Sequence, residues 1–248
     1  MKHHKLFSVK SDIYAAARPT YPDALYRYLV SLCDETGRVW DGACGSGQAA
    51  VGLSQYFEHV DATDISAEQI ANAKQADNVT YGVQSAEKTT FPNAHFDLVC
   101  VAQALHWFDY ANYWPEVQRV LKPNGVFAAW GYSWFNISPL IDDAINQHML
   151  AVLTPYWAKQ NQLLWDNYVN VPFPFERIAA PQFMMTLDWT LDQLFNYLHS
   201  WSAVRRCMDA NGDQFFNTAY EEVAKLWGES THYRTVTMPI CTLFGRNP

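Results

Sequence analysis

Apolar positions along this chain follow two rhythms, one of period two or continuous and one of helical spacing, and the two take turns. Behind Pro22, which suits the first turn of a helix, Leu25, Tyr28, Leu29 and Leu32 share one helical face. Val39 and Trp40 read as a short buried strand ending at Asp41. A turn of small residues, Gly42 to Gly47, follows, and then a helix whose Ala49, Leu53, Tyr56 and Phe57 lie on one face. His59 to Asp64 is a second strand, and Ser66-Ala-Glu-Gln69 is a capping box that starts the next helix. Val79, Tyr81 and Val83 alternate as a third strand. Phe96 to Ala102 is almost wholly apolar, as expected of a central strand covered on both faces. A helix with Trp114, Val117, Val120 and Leu121 inward stops at Lys122-Pro-Asn-Gly125, and Val126 to Trp130 is the fifth strand.

This strict β-α alternation predicts a parallel, doubly wound α/β sheet with its ligand site at the strand carboxyl ends. Beyond it the pattern changes. Residues 133–181 read as helical and rich in aromatics (Trp134, Phe135, Trp157, Trp165, Tyr168, Phe173, Phe175), either capping an active site or packing a small core of their own. Phe183 to Leu187 reads as a sixth strand, with helices over Leu191–Val204 and Phe215–Trp227. Pro239 cannot donate to a ladder, so a seventh strand is placed from Ile240 to Phe244. The 248 residues suit one domain: a cofactor-binding core at about 10–132, the capping insertion at about 133–181, and closing strands and helices at about 182–248.

Composition narrows the function. A net charge of −8 disfavours nucleic acid and anionic membranes, which need clustered Lys and Arg, and no run approaches the roughly 20 apolar residues of a membrane span. Five scattered cysteines without a C-x-x-C read as reduced thiols of a cytoplasmic protein, with no metal site.

The candidate chemistry sits in the turn after the first strand. Gly45-Ser-Gly47-Gln-Ala-Ala50 matches the glycine fingerprint of nicotinamide and flavin binders, but Asp41 at the strand mouth would repel a pyrophosphate and suits the α-amino group of a methionine moiety. Asp64, 23 residues further on at the tip of the second strand, is placed to accept both hydroxyls of a ribose.

Asp41 followed by Gly42-Ala43-Cys44-Gly45-Ser46-Gly47 resembles the first motif, D-x-G-x-G-x-G, of class I S-adenosyl-L-methionine (SAM) methyltransferases of the type 11 domain, with Ala43 in place of the first glycine. The strings FDLV, QALHWF and RVLKPNG resemble the same family, and Y-x-x-x-R-P-x-Y-P over Tyr14–Pro22 resembles its trans-aconitate methyltransferase-like subgroup, so that the likeness covers about residues 10–132. It implies a Rossmann-like, seven-stranded, mostly parallel sheet with an antiparallel last strand, and SAM as cofactor. Tyr14, Arg18, Asp41, Gly42, Ala43, Gly45, Gly47, Asp64, Ile65, Ser85, Ala86, Glu87 and Gln103 would bind that cofactor. Ser85 stands where the family more often has Asp, which shifts adenine recognition toward the Ala86 backbone.

At the end of the fourth strand, where the methyl group should point, lie Gln103, His106 and Trp107. His106 is either a general base or a packing residue. Trp107, Tyr132, Arg205 and Arg206 are the candidate substrate contacts. Arg18 with Arg205 or Arg206 would clamp a carboxylate, whose oxygen would then accept the methyl group; otherwise Arg205 and Arg206 are helix-surface charges. The expected activity is methyl transfer to a small molecule. The competing classes are a nicotinamide- or flavin-dependent oxidoreductase and a non-catalytic SAM-binding module.

Overall fold

A computed structural model describes residues 19–248; the expected contacts of Tyr14 and Arg18 lie outside the described residues. The first half runs α1 (Asp23–Leu32), β1 (Arg38–Gly42), α2 (Gln48–Leu53), β2 (His59–Asp64), α3 (Ala67–Ala71), β3 (Val79–Val83), β4 (Phe96–Ala102), α4 (Tyr110–Val120) and β5 (Leu121–Tyr132). There follow α5 (Pro139–Ile145), which runs on through a π-helical turn (Asn146–Leu150) and a last α-helical turn (Ala151–Leu153), then α6 (Asn161–Trp165), β6 (Glu176–Ile178) and β7 (Phe183–Trp189). The helices α7 (Leu191–His199), α8 (Ser202–Asn211) and α9 (Gln214–Trp227) precede β8 (Arg234–Arg246).

The strands form one sheet in the order β3-β2-β1-β4-β5-β8-β6, with β7 also paired to β8. β1 to β5 are mutually parallel, and β8 runs antiparallel to β5, β6 and β7. The chain winds outward from β1 through β2 to β3, then crosses back to β4 on the other side of β1. The strand order therefore reverses between β1 and β4, and a crevice opens above their carboxyl ends.

Period-two burial sorts the central strands between two cores. Val39, Leu98, Cys100, Val126, Ala128 and Trp130 face Leu25 and Leu29 of α1 and Ala49 and Leu53 of α2. Their neighbours Trp40, Val99, Val101, Phe127 and Ala129 face Tyr113, Trp114, Val117 and Val120 of α4. Trp40 is wholly buried, and its indole N–H donates to the Thr63 hydroxyl at 2.9 Å, so the largest side chain of β1 leaves no orphan donor in the core.

The structure corrects four expectations. The sheet has eight strands, because Glu176–Ile178, three residues too short to show a period, joins β8 within the segment expected to be helical. Phe173 and Phe175 of that segment pack on Phe127 at 5.7 and 5.6 Å between ring centroids, and Tyr168 is buried in the same core, so these three build the sheet's own interior. The last strand begins at Arg234 and runs through Pro239. The Thr237 N–H bonds to Asn136 beyond the end of β5, so a donor at residue 239 would point to that same side. There the β5 ladder has already ended at Ile240↔Tyr132, and no hydrogen bond is lost. Finally, the Ser66 hydroxyl accepts the Gln69 N–H, but the Ser66 N–H is taken by Asp64, so only half of the capping box forms.

Two features of this frame bear on the crevice. The connection from β3 to β4 is pinned by Glu116 of α4, whose carboxylate accepts the Thr89 N–H (2.7 Å) and hydroxyl (2.5 Å) while pairing with Arg119. Arg119 in turn donates to the Phe91 carbonyl and the Asn93 side chain. Asp41, on the central strand, has a fully buried carboxyl. One oxygen has the Cys100 thiol at 3.8 Å, and the other has no hydrogen-bond partner. Burial pushes its pKa up to about 7, with the Cys100 contact only partly offsetting that.

Glu116→Ala frees the loop and leaves Arg119 without its partner. Urea unfolding should show a loss of about 1.5–3 kcal/mol, the worth of hydrogen bonds to a charged group. For Asp41 the sign follows from a folded pKa raised above the ordinary value of 3.8: the neutral acid is favoured in the fold, and stability is lost as pH rises from about 4 to about 7. Asp41→Asn should therefore raise the melting temperature at pH 8, by an amount that shrinks toward pH 5. A mutant no more stable than wild type at pH 8 would show that the buried carboxyl is not strained.

Candidate cofactor and substrate site

The turn after β1 is built from residues that alternate into left-handed backbone: Ala43 (φ 56°), Gly45 (φ 55°) and Gly47 (φ 82°). Gly45 and Gly47 adopt this without cost, whereas Ala43 carries the steric penalty of an L side chain there, about 1–2 kcal/mol. At Gly47 a Cβ would also overlap the Tyr81 hydroxyl. The amides of the turn are already engaged. Cys44 N–H donates to the Thr63 carbonyl (2.9 Å), Gly47 N–H to the Cys44 carbonyl (3.0 Å), and Gly45 N–H to Asp64 Oδ2 (2.9 Å). Asp64 Oδ1 accepts the Ser66 N–H at 2.8 Å, so one carboxylate fastens the glycine turn to the start of α3. Burial raises the Asp64 pKa, and the hydrogen bonds from Ser66, Gly45 and Ile65 oppose that rise.

Above the turn lies a cavity of about 250 Å³. Of the residues expected from the sequence, Ala43, Gly45, Asp64, Ile65, Ser85, Ala86, Glu87, Gln103, Trp107 and Tyr132 line it. Ile65 is half exposed and presents an apolar face, and the carboxylate of Glu87 accepts the Asp109 N–H at 2.8 Å. Gln103 has the left-handed backbone of a constrained residue (φ 60°), held by its N–H on the Trp130 carbonyl and its side-chain amide on the Tyr132 carbonyl. It thus joins the ends of β4 and β5 at the cavity wall.

Other expected residues do not reach the cavity. Asp41 and Gly42 lie beneath the turn, and Gly47 shapes it from behind; none of the three is in the lining. Asp41, expected to face a ligand amine, is buried beneath the turn with Oδ1 beside the Cys100 thiol and Oδ2 without a hydrogen-bond partner. His106 is 6% exposed, has its Nδ1 3.5 Å from the Tyr168 hydroxyl, and is driven by burial to a pKa of about 4. Burial and the Tyr168 contact favour the packing reading of His106, which is not in the cavity lining. Arg205 and Arg206, on α8, do not line the cavity either.

The structure adds lining residues that sequence reasoning missed, among them Tyr21, Gln48, Gln69, Gln84 and Phe108. Tyr21 lay within the R-P-x-Y-P string and Gln48 directly after the glycine turn, so position alone could have flagged both. Gln69 was read only as a cap. Among the described residues no group of His, Cys, Asp or Glu is arranged to hold a metal, and no helix is long and apolar enough to cross a membrane.

Comparison with known proteins agrees with this layout. Residues 40–129 match the family model of the methyltransferase domain. A Dictyostelium discoideum protein named as a methyltransferase is 32% identical over 225 residues, covering 89% of this chain and 86% of that protein. A solved structure from Anaeromyxobacter dehalogenans, described as a type II methyltransferase, superposes with a TM-score of 0.87 at 35% identity, covering 92% of this chain and 97% of the other. A Saccharomyces cerevisiae protein named as a SAM-dependent methyltransferase is 28% identical, covering 78% of this chain and 79% of that one. With the 3-2-1-4-5 sheet, the glycine turn and the acid at the tip of β2, these matches make the chain a member of the class I SAM-dependent methyltransferases.

Proposed function

We propose that the cavity above β1 and β4 holds SAM and that the protein transfers its methyl group to a small molecule. The observation that carries the placement is Asp64, which lines the cavity with each carboxylate oxygen already fixed by one backbone N–H. A carboxylate oxygen accepts more than one hydrogen bond, so the pair remains able to take two ribose hydroxyls in a fixed orientation. Ile65 and the Ser85–Glu87 loop offer an apolar face and polar backbone to the adenine, and the turn at Ala43–Gly45 with Gln103 borders the methionine end.

The same geometry argues against a dinucleotide. The Cys44, Gly45 and Gly47 amides, which would cradle a pyrophosphate, are spent on protein acceptors, one of them an aspartate that would repel it. When bound, SAM supplies a methyl group already activated as a sulfonium. What is left to the protein is alignment and exclusion of water by Trp107, Phe108, Tyr21 and Tyr132, which needs no acid or base in the wall.

A carboxylate oxygen as acceptor is a second reading, for which Arg206 is the candidate cation although it does not line the cavity. Its guanidinium is partly buried with Nε lacking a hydrogen-bond partner, it donates only a 3.3 Å bond to Ser202, and it pairs with no carboxylate among the described residues. Burial, then the neighbouring Arg205, hold its pKa down, the situation of a cation in want of an anion.

Calorimetric titration should show SAM binding in wild type and a loss of tens-fold in Asp64→Ala, which removes both the ribose acceptor and the anchor of Gly45. Gly45→Val should bind less well still, since it combines an unfavourable φ with a blocked backbone. Unchanged affinity in both variants, or preference for a nicotinamide dinucleotide, would overturn the placement. For the second reading, label from methyl-labelled SAM should be recovered in a base-labile ester whose formation falls at least ten-fold in Arg206→Ala; base-stable product excludes the carboxylate.

A further inference from the structure

A second cavity, of about 560 Å³, opens beside the first. Tyr132 lines one and Trp134, two residues further along the chain, lines the other, so the same segment after β5 contributes to both walls. Its wall is made by Trp134, Trp157 and Trp165, with Phe135, Ile145 and Leu150. Trp134 is 37% exposed, an uncovered indole facing space rather than core. The helix on the opposite side departs from α geometry here: its π-helical turn spans Asn146–Leu150, and both end residues line the cavity. Such a turn is costly and recurs at functional sites.

The electrostatics select the ligand. No Lys or Arg lines this cavity, and its one charged residue is Asp142, whose Oδ1 accepts the Ile137 N–H. An anion inside would be unpaired and faced by a like charge. A cation would have only Asp142 to face, and that carboxylate is already engaged by the Ile137 N–H at the start of α5. The Trp134 centroid lies 5.4 Å from Trp165 and 6.0 Å from Trp157, and Trp157 lies 5.5 Å from Trp165, so the three indoles form one contiguous wall. What remains is a flat apolar wall. Asn136 and Asn146 stand at its edge, and their carboxamides make no hydrogen bond among the described residues.

We propose that this cavity holds the body of the methyl acceptor and that it takes an uncharged, flat aromatic ring system. The ring stacks on Trp134, a hydroxyl or carbonyl is read by Asn136 or Asn146, and the reactive edge passes Tyr132 toward Gln103. This rests on the methyltransferase reading for the acceptor role, but not for the chemistry of the cavity.

Three probes of one ring and different charge test it on the full chain: 2-naphthol, 2-naphthoate and 2-naphthylmethylammonium, titrated by tryptophan fluorescence with and without saturating S-adenosylhomocysteine. Neutral naphthol should bind at least ten-fold more tightly than either ion, in the presence of the cofactor product as well as its absence. Trp134→Ala should weaken it ten-fold or more while SAM affinity stays at the wild-type value. Ala151→Trp, which fills the cavity from a helix without deleting any wall residue, should abolish naphthol binding in a protein that still binds SAM. Tightest binding of the ammonium or the carboxylate, no naphthol binding to wild type, or naphthol binding untouched in both variants overturns the proposal. Failure of wild type to bind SAM would instead sink the methyltransferase placement and with it the acceptor role, and the separate cofactor titration tells the two apart.

Discussion

One carboxylate holds the two halves of the site in register. Asp64 sits at the tip of β2 and accepts a hydrogen bond from Gly45, in the turn after β1, and another from Ser66, at the start of α3. Without it the glycine turn, whose Cys44 and Gly47 amides go to Thr63 and to its own Cys44 carbonyl, would lose its tie to the next helix. The turn is tied down by the Asp64 carboxyl, and that carboxyl is held in turn by the two amides it satisfies. The ligand site is thus assembled from groups that satisfy one another first and present only their remaining capacity to a guest.

Much of this was written in the sequence. Strands with clear periodicity, β1 to β4, appear where Val39-Trp40, His59–Asp64, Val79–Val83 and Phe96–Ala102 placed them, and β5 contains Val126–Trp130 but starts at Leu121, in residues read as the end and stop of the preceding helix. Local pattern failed where tertiary context decided the outcome. β6 is three residues long and exists because β8 offers an edge; β8 passes through Pro239 because the missing donor falls in a gap that only the placement of β5 and Asn136 creates. Site residues followed the same rule. Asp64, Ser85, Ala86, Glu87 and Gln103 sit at strand carboxyl ends, a position sequence can locate. Whether a side chain at such an end turns up to the crevice or down into the core is not encoded locally, and Asp41 and His106 turn down.

Asp41 gains its interest from that downward turn. A buried acid with one bare oxygen is tolerated on a central strand only if the surrounding packing holds it there. Its neighbours are the Cys100 thiol and the first turn of α2, so the residue that the family motif makes conspicuous is buried behind the turn and outside the cavity lining. Ala43, left-handed where the motif has glycine, is a second departure at the same turn.

The thirteen residues of β8 pair with β5 in their second half and with β7 in their first, so the final strand in chain order zips the parallel half of the sheet to everything built after it. On a ribosome this sets a schedule. The five parallel strands can emerge and collapse early, yet the outer edge of β5, with Val126, Phe127 and Trp130, stays unpaired until residues beyond 240 leave the exit tunnel. Roughly a hundred residues, mostly helix and loop with the strands β6 and β7, are made in that interval. The nascent chain therefore carries an open edge for that whole stretch, and this is the stage at which a chaperone or a neighbouring chain would find it.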